Sequence, residues 1–149
     1  MNRHACRILI VRSLYEIDLR QIENINNELL YEIINFAFDP TKEEYSFVED
    51  DENYIHVKNT IMSIYKSLIK IDKVISDNLD KYTIDRLNYV DRAIIRLATY
   101  EMLYTDLAKT IIINEAIEIT KEYTNLDDGM QAKFNNKLLD KIAQGIKNE

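Results

Sequence analysis

The chain has 149 residues, about one domain's worth, enough to bury roughly 70% of its unfolded surface without a disulfide or metal staple. Its 26 acidic and 19 basic residues leave a net charge of −7, which excludes binding to nucleic acid through bulk positive charge. One cysteine, two glycines and one proline exclude an internal disulfide, a zinc site of three or four cysteines and glycine-rich phosphate loops, and argue against turn-rich β architectures.

The elements follow in chain order. Asn2 is placed to cap a first helix running to about Arg20. Cys6, Leu9, Ile10, Ser13, Leu14 and Ile17 then share one side, the expected core face. His4, Arg7, Ile8, Val11, Arg12 and Tyr15 fall opposite, an outer face mixing basic residues with two aliphatics and a tyrosine. A second helix is predicted from about Ile22 to Phe38, with Ile25, Leu29, Ile33 and Phe36 inward. Pro40 biases Asp39 away from helical torsions and stops it. The acidic stretch 39–53 reads as an exposed, solubilising connection, because burying seven acids is costly.

Residues 54–79 read as one long helix through Ile61, Ile64, Leu68, Ile71 and Ile75. Thr83 is expected to cap a turn ending at Leu87, and Asn88 to open a helix over Tyr89–Tyr104 with Val90, Ile94, Leu97 and Leu103 largely inward. After a link containing Asp106 and Lys109, Asn114 is expected to cap a helix that packs through Ala116, Ile117 and Thr120 and ends near Tyr123. Asp-Asp-Gly at 127–129 punctuates a turn over Asn125–Gly129, and a last helix carries Phe134, Leu138, Leu139 and Ile142. No strand alternation or internal repeat interrupts this pattern. The longest N-terminal apolar run, Ile8–Val11, is too short for a signal peptide or a membrane span, so a soluble protein of the reducing cytoplasm is expected.

The charge is unevenly spread. Residues 1–20 carry +2, 21–38 carry −3, 39–53 carry −6 and 54–149 balance to zero. The first twelve residues hold Arg3, Arg7 and Arg12 and no acid. A basic start on an acidic chain suggests one small anion-binding face. Enzyme signatures are missing. The two histidines, His4 and His56, form no HExxH pair, and neither GxSxG nor a P-loop occurs. Cys6 on the core face reads as an inert thiol. No catalysis, cofactor or metal is expected.

Five segments share an order and spacing with a known family. They are Ser13-Leu14-Tyr15 on the arginine-bearing first helix, Ile71-Asp72-Lys73-Val74-Ile75, the run from Val90 to Glu101, Ile113 to Glu118, and Lys133 to Lys141. Together they resemble the NusB family of bacterial transcription antitermination factors, over almost the whole chain. The resemblance implies an all-α bundle of about seven helices in two helical halves, as one domain over 1–149. It implies no catalysis. It implies binding to the boxA element of ribosomal-RNA leader transcripts as single strand, with ribosomal protein S10, on an RNA polymerase elongation complex. Matched position by position, RNA would meet Arg3, His4, Arg7, Arg12 and Tyr15 with Lys133 and Phe134, and the ribosomal protein would meet Asp91 and its surroundings.

The residues themselves leave alternatives open. Arginines meet phosphates and an exposed tyrosine stacks on an unpaired base, but Tyr15 also suits packing under a neighbouring helix. Phe134, spaced with Leu138, suits a core as well as an RNA contact. Arg96, Glu101 and Asp140 read as ion-paired or structural polar groups. Ile8 and Val11 would serve a homodimer as readily as RNA. The chain departs from the family pattern at His4 and Ala5, where basic residues are common, at Asn135 and Lys137, where valine and glycine are usual, and before Ile113, where a proline is missing. Two other readings stand beside the RNA-binding factor. One is a helical interaction module of the same fold without specific RNA recognition. The other is the RNA-binding domain of a ribosomal-RNA methyltransferase, whose methyl-donor domain this chain is expected not to hold.

Overall fold

Two asparagines open the first two helices as N-caps. The Asn2 side chain accepts from the Ala5 N–H at 2.8 Å, and the Asn26 side chain accepts from the Leu29 N–H at 2.8 Å, each satisfying a donor that the helix start leaves without a partner. The computed structural model describes residues 2–38, 51–124 and 127–147, with residue 147 described by its backbone alone. Among the described residues there are seven α-helices and no strand: α1 (Arg3–Leu19), α2 (Asn27–Ala37), α3 (Glu52–Lys66), α4 (Leu68–Asp77), α5 (Tyr89–Tyr104), α6 (Lys109–Tyr123) and α7 (Met130–Lys147). A single 3-10 turn, Ile84–Arg86, precedes α5. The all-helical expectation and its helix number hold. The chain divides into two compact units, Met1–Lys66 and Ser67–Glu149.

In the first unit α1 packs against both α2 and α3. That corrects the two-faced picture of α1. Cys6, Leu9, Ile10, Ser13, Leu14 and Ile17 are buried as expected, but so are Val11 at 1% exposure and Arg7 at 7%. A helix with neighbours on more than one side buries more than one stripe. The Ile8/Val11 patch expected to serve a dimer therefore reduces to a half-buried Ile8. α1 ends without glycine. Gln21 takes a left-handed φ of 56°, and the Ile22 N–H donates to the Ile17 carbonyl at 3.1 Å, which closes the helix with the long bond of a Schellman motif.

α2 starts five residues later than predicted, at Asn27 rather than about Ile22. It buries Leu30, Ile33, Ile34 and Ala37, whereas Phe36, expected inward, is 66% exposed beneath the Arg20 guanidinium at 5.2 Å. Of the acidic stretch, residues 39–50 lie outside the described residues. Asp51 stands at the entry to α3, and its carboxylate accepts from the Asn53 N–H at 2.8 Å. Tyr54, Val57, Ile61 and Ile64 form α3's buried face. The Tyr54 ring meets Tyr31 edge to face at 5.5 Å.

The expected long helix 54–79 is two helices, broken at Ser67. Ser67 has φ −109° and ψ 18°, and no hydrogen bond of its side chain caps the new start. Apolar spacing continues through the break, which is why periodicity alone reads it as one helix.

In the second unit α5 is central, packing against α4, α6 and α7. Asn88 opens it as predicted, accepting from the Asp91 N–H at 2.8 Å. α6 starts at Lys109, and Asn114 is exposed inside it, not at its cap. The cause is packing: Ile112 and Ile113 are buried, so the helix extends back to bring them inward. α7 opens from the predicted turn, with Gly129 at φ 79° and the Asp127 carboxylate accepting from the Gln131 N–H at 2.9 Å. Asn125 and its neighbour at 126 lie outside the described residues.

Arg96 holds α5 to α4. Its Nε and Nη2 donate to the two carboxylate oxygens of Asp72, each at 2.9 Å, in a largely shielded pair. This bears out the expected ion pair. Replacing Arg96 with Ala is expected to lower the unfolding free energy by roughly 1.5–3 kcal/mol, the worth of hydrogen bonds to a charged group, as read by urea denaturation. Arg96→Lys should retain only part of that stability, because an ammonium cannot reproduce the two-pronged geometry.

Candidate functional site

Each residue singled out from the sequence belongs to one of the two units. Arg3, His4, Arg7, Arg12 and Tyr15 all lie on α1. At ~100° per residue, His4, Ile8, Tyr15 and Arg12 share an arc of roughly 80°. All four are half-buried, each showing part of its surface to solvent. Arg3 is exposed at the helix start, and its Nη1 donates to His56 Nε2 on α3 at 2.9 Å. Arg7 is the correction: it is buried, and packing against the neighbouring helices takes it out of the outer face on which periodicity puts it. What remains at the surface of α1 is a tyrosine and an aliphatic side chain between His4 and Arg12, with Arg3 near.

Lys133 and Phe134 lie on α7 in the second unit, near its start. Lys133 is exposed. Phe134 is neither fully core nor fully open. It is half-buried, and its ring meets Tyr82 edge to face at a centroid distance of 6.1 Å and an interplanar angle of 75°. Tyr82 lies in the connection between α4 and the 3-10 turn. Sequence reasoning passes over it, because 52 residues separate it from Phe134 and it belongs to no helical stripe. The one local signal is its basic neighbour, Lys81. Beside the two rings opens a cavity of about 230 Å³ lined by residues of 78–82 and α7.

Asp91 is the second correction. Expected at a partner-facing surface, it is 2% exposed. The Asn135 side-chain amide, itself fully buried, donates to Asp91 Oδ1 at 3.0 Å and to Thr120 Oγ1 at 3.1 Å. Thr120 in turn donates to the Ala116 carbonyl at 2.8 Å. Burial pushes the Asp91 carboxyl above its ordinary range, against the opposing hydrogen bonds of Asn135 and Asn88, and the charge of Asp127 adds to the upward push. This aspartate is thus a structural group joining α5, α6 and α7. The parts of its surroundings that reach solvent are Asp85, Arg86 and Asn88 in the preceding turn. Arg92 is turned inward, stacked over the Tyr89 ring at 4.9 Å.

Cys6 is buried, with its Sγ 3.8 Å from Asn53 Oδ1, as its place on the core face predicts. Among the described residues, no group of three His, Cys, Asp or Glu side chains is arranged to hold a metal ion, and no helix is long and apolar enough to cross a membrane.

Among the described residues, seven helices in two units, with basic and aromatic side chains at their surface, make up a fold shared with NusB antitermination factors. The fold superposes on NusB of T. maritima with a TM-score of 0.77 and 33% identity, covering 97% of this chain and 92% of that one. It also matches a chain from a crystal structure of antitermination factors NusB and NusE in complex with dsRNA, at a TM-score of 0.73 and 22% identity, covering 96% of each. The NusB family description matches residues 4–144, and the chain belongs to that family. It is 34% identical to the transcription antitermination protein NusB of Treponema denticola, over 95% of this chain and 96% of that one. With the counterpart from Nitratiruptor sp. it shares 31% identity, over 99% and 95%.

The raised Asp91 carboxyl has a consequence for stability. A folded-state value above the unfolded one favours the fold while the group is protonated, and the advantage is lost as pH rises through the folded value. Asp91→Asn removes the ionisation. The unfolding free energy of the variant is therefore expected to gain on the wild type as pH rises from about 3.5 towards 7, starting from an ordinary aspartate value of about 3.9. Denaturant titrations across that range measure the difference, and a difference flat with pH would contradict the raised value.

Proposed function

We propose that this chain is a non-enzymatic transcription antitermination factor. It binds boxA-like single-stranded leader RNA of ribosomal operons together with ribosomal protein S10 (NusE), and acts with it on the RNA polymerase elongation complex. The observation that carries the reading is the half-buried arc of His4, Ile8, Arg12 and Tyr15 beside the exposed Arg3. Guanidinium groups neutralise phosphates, and a partly open tyrosine ring offers a plane to an unpaired base. Membership of the NusB family supports the reading, as does the related fold solved with NusE and double-stranded RNA.

On the second unit, taken by itself, the exposed Lys133 and the half-buried Phe134 are the residues that meet RNA. S10 meets the turn before α5, through Asp85, Arg86 and Asn88, which are exposed where Asp91 is not. With a chain charge of −7, RNA affinity depends on the partner's added contacts. Binding alone is weak, and binding of the pair is tighter.

Fluorescence anisotropy with boxA-like RNA, with and without S10, tests this. Arg12→Glu and Arg3→Glu are expected to weaken binding. They should also flatten the log–log salt dependence by about 0.7 for each phosphate that is no longer neutralised. Arg7→Glu, by contrast, reports on folding, because it reverses a buried charge in the first unit. S10 binding with no gain in RNA affinity would assign the chain to protein interaction alone.

A further inference from the structure

α2 buries one face and leaves another bare. Leu30, Ile33, Ile34 and Ala37 are buried in the first unit. Glu28, Glu32 and Phe36 follow one another at four-residue intervals, so at ~100° per residue they line a second arc of roughly 80°. Both acids are exposed, and so is Phe36, at 66%. Among the described residues, no helix covers this arc.

A single apolar side chain in solvent is ordinary, but this ring is held in place. The Arg20 guanidinium lies over it at 5.2 Å from the ring centre, and Arg20 Nε donates to Glu16 Oε2 at 2.9 Å. The stack runs from α1 to α2 and orders the ring before anything binds, so less side-chain entropy is lost on contact. Leu19, next to Arg20 in sequence, is a further exposed apolar side chain. Aromatic rings and arginines are the side chains that anchor protein interfaces. Around this anchor the charge is negative. From Gln21 to Phe38 the chain holds Glu23, Glu28 and Glu32, all exposed, and no basic residue.

That combination selects its occupant. Such a surface repels RNA, and a two-fold contact with a second copy would set its excess negative charge against itself. Its complement is a cationic segment with an apolar side chain. Along the helix axis Glu32 lies ~6 Å and Glu28 ~12 Å from Phe36. An amphipathic helix with an apolar residue at one position, and lysine or arginine four and eight residues away, matches those distances. We propose that the outer face of α2 docks a basic helical segment of a protein partner. Phe36 takes its apolar side chain, and Glu28 and Glu32 take its cations. This partner is additional to the S10 of the reading above, which engages the other unit.

The test uses the full chain carrying Phe36→p-benzoylphenylalanine, irradiated in the cells it comes from, with the cross-linked segment read by mass spectrometry. The expected product joins position 36 to a basic segment of a protein other than S10. A synthetic peptide of that segment is then titrated against the unaltered chain. Phe36→Ala is expected to weaken peptide binding about 30-fold, the level of an interface anchor. Glu28→Gln with Glu32→Gln should weaken it about 2- to 30-fold and reduce its salt dependence. A peptide with its two cations changed to glutamate should prefer the chain carrying Glu28→Lys and Glu32→Lys, a swap that only direct pairing produces. Phe36→Ala should leave RNA binding by the pair with S10 unchanged.

A cross-link to RNA, to a second copy of this chain or to S10 overturns the proposal, as does the lack of any protein cross-link. A captured peptide that binds Phe36→Ala and the glutamine variant as tightly as the wild type overturns it too. Loss of RNA affinity in Phe36→Ala would make this face part of the RNA contact, against the proposal. If the unaltered pair binds no boxA-like RNA while the peptide results hold, the RNA-binding reading falls and the docking face stands.

Discussion

One buried amide organises the second unit. Asn135 sits on α7 with no exposed surface and donates to an aspartate on α5 and a threonine on α6. A buried carboxylate is costly unless its lone pairs are met, so this contact constrains how α7 rotates. Valine, usual at this position in the family, would supply packing but no donor. With Asn135 inward, the geometry of a helix sends Lys133, Lys137 and Lys141 to the far side and leaves Phe134 at the boundary between core and solvent. The aromatic contact with Tyr82 and the cavity beside it depend on that rotation.

The first unit depends on a different constraint. α1 meets both of its neighbouring helices, and so it has little free surface to offer. Arginine tolerates such a position when its stem is packed and its head has partners, and Arg7 has gone that way. The basic N-terminal end is therefore divided. Part of it serves the fold, whereas Arg3, which also reaches His56, and Arg12 keep surface open to solvent. On the RNA-binding reading proposed above, this division keeps the chain's own electrostatic contribution small and is a physical reason for a partner to add contacts.

Some of this was legible in residue order. Asn2 and Asn88 are good N-caps placed before periodic apolar runs, and both act as caps. The Asp-Asp-Gly turn, the helix from Tyr89 to Tyr104 and the burial of Cys6 were also readable, because each depends on neighbours within a few positions. The family resemblance rested on segments spread across the chain, and the family match bears it out. Ser67 shows where such reading fails. Isoleucines keep helical spacing on both sides of it, so nothing local marks the break that separates α3 from α4. Asn114 shows the reverse case. It is a fine capping residue in sequence, but two buried isoleucines before it draw the helix start back to Lys109.

Sequence alone thus determined the helical class, most element positions and the family, since caps, turns and apolar spacing act over a single helical turn. Tertiary structure decided which polar residues remain outside. Arg7 and Asp91 are chemically suited to a surface, yet the number of helices packed around each puts them inside. Phe36 is chemically suited to a core and stays in solvent, because α2 turns its other face inward. Tyr82 and Phe134 become partners across 52 positions only when the connection after α4 folds beside α7. Burial depends on contacts between distant segments, and the spacing within one segment carries no record of them.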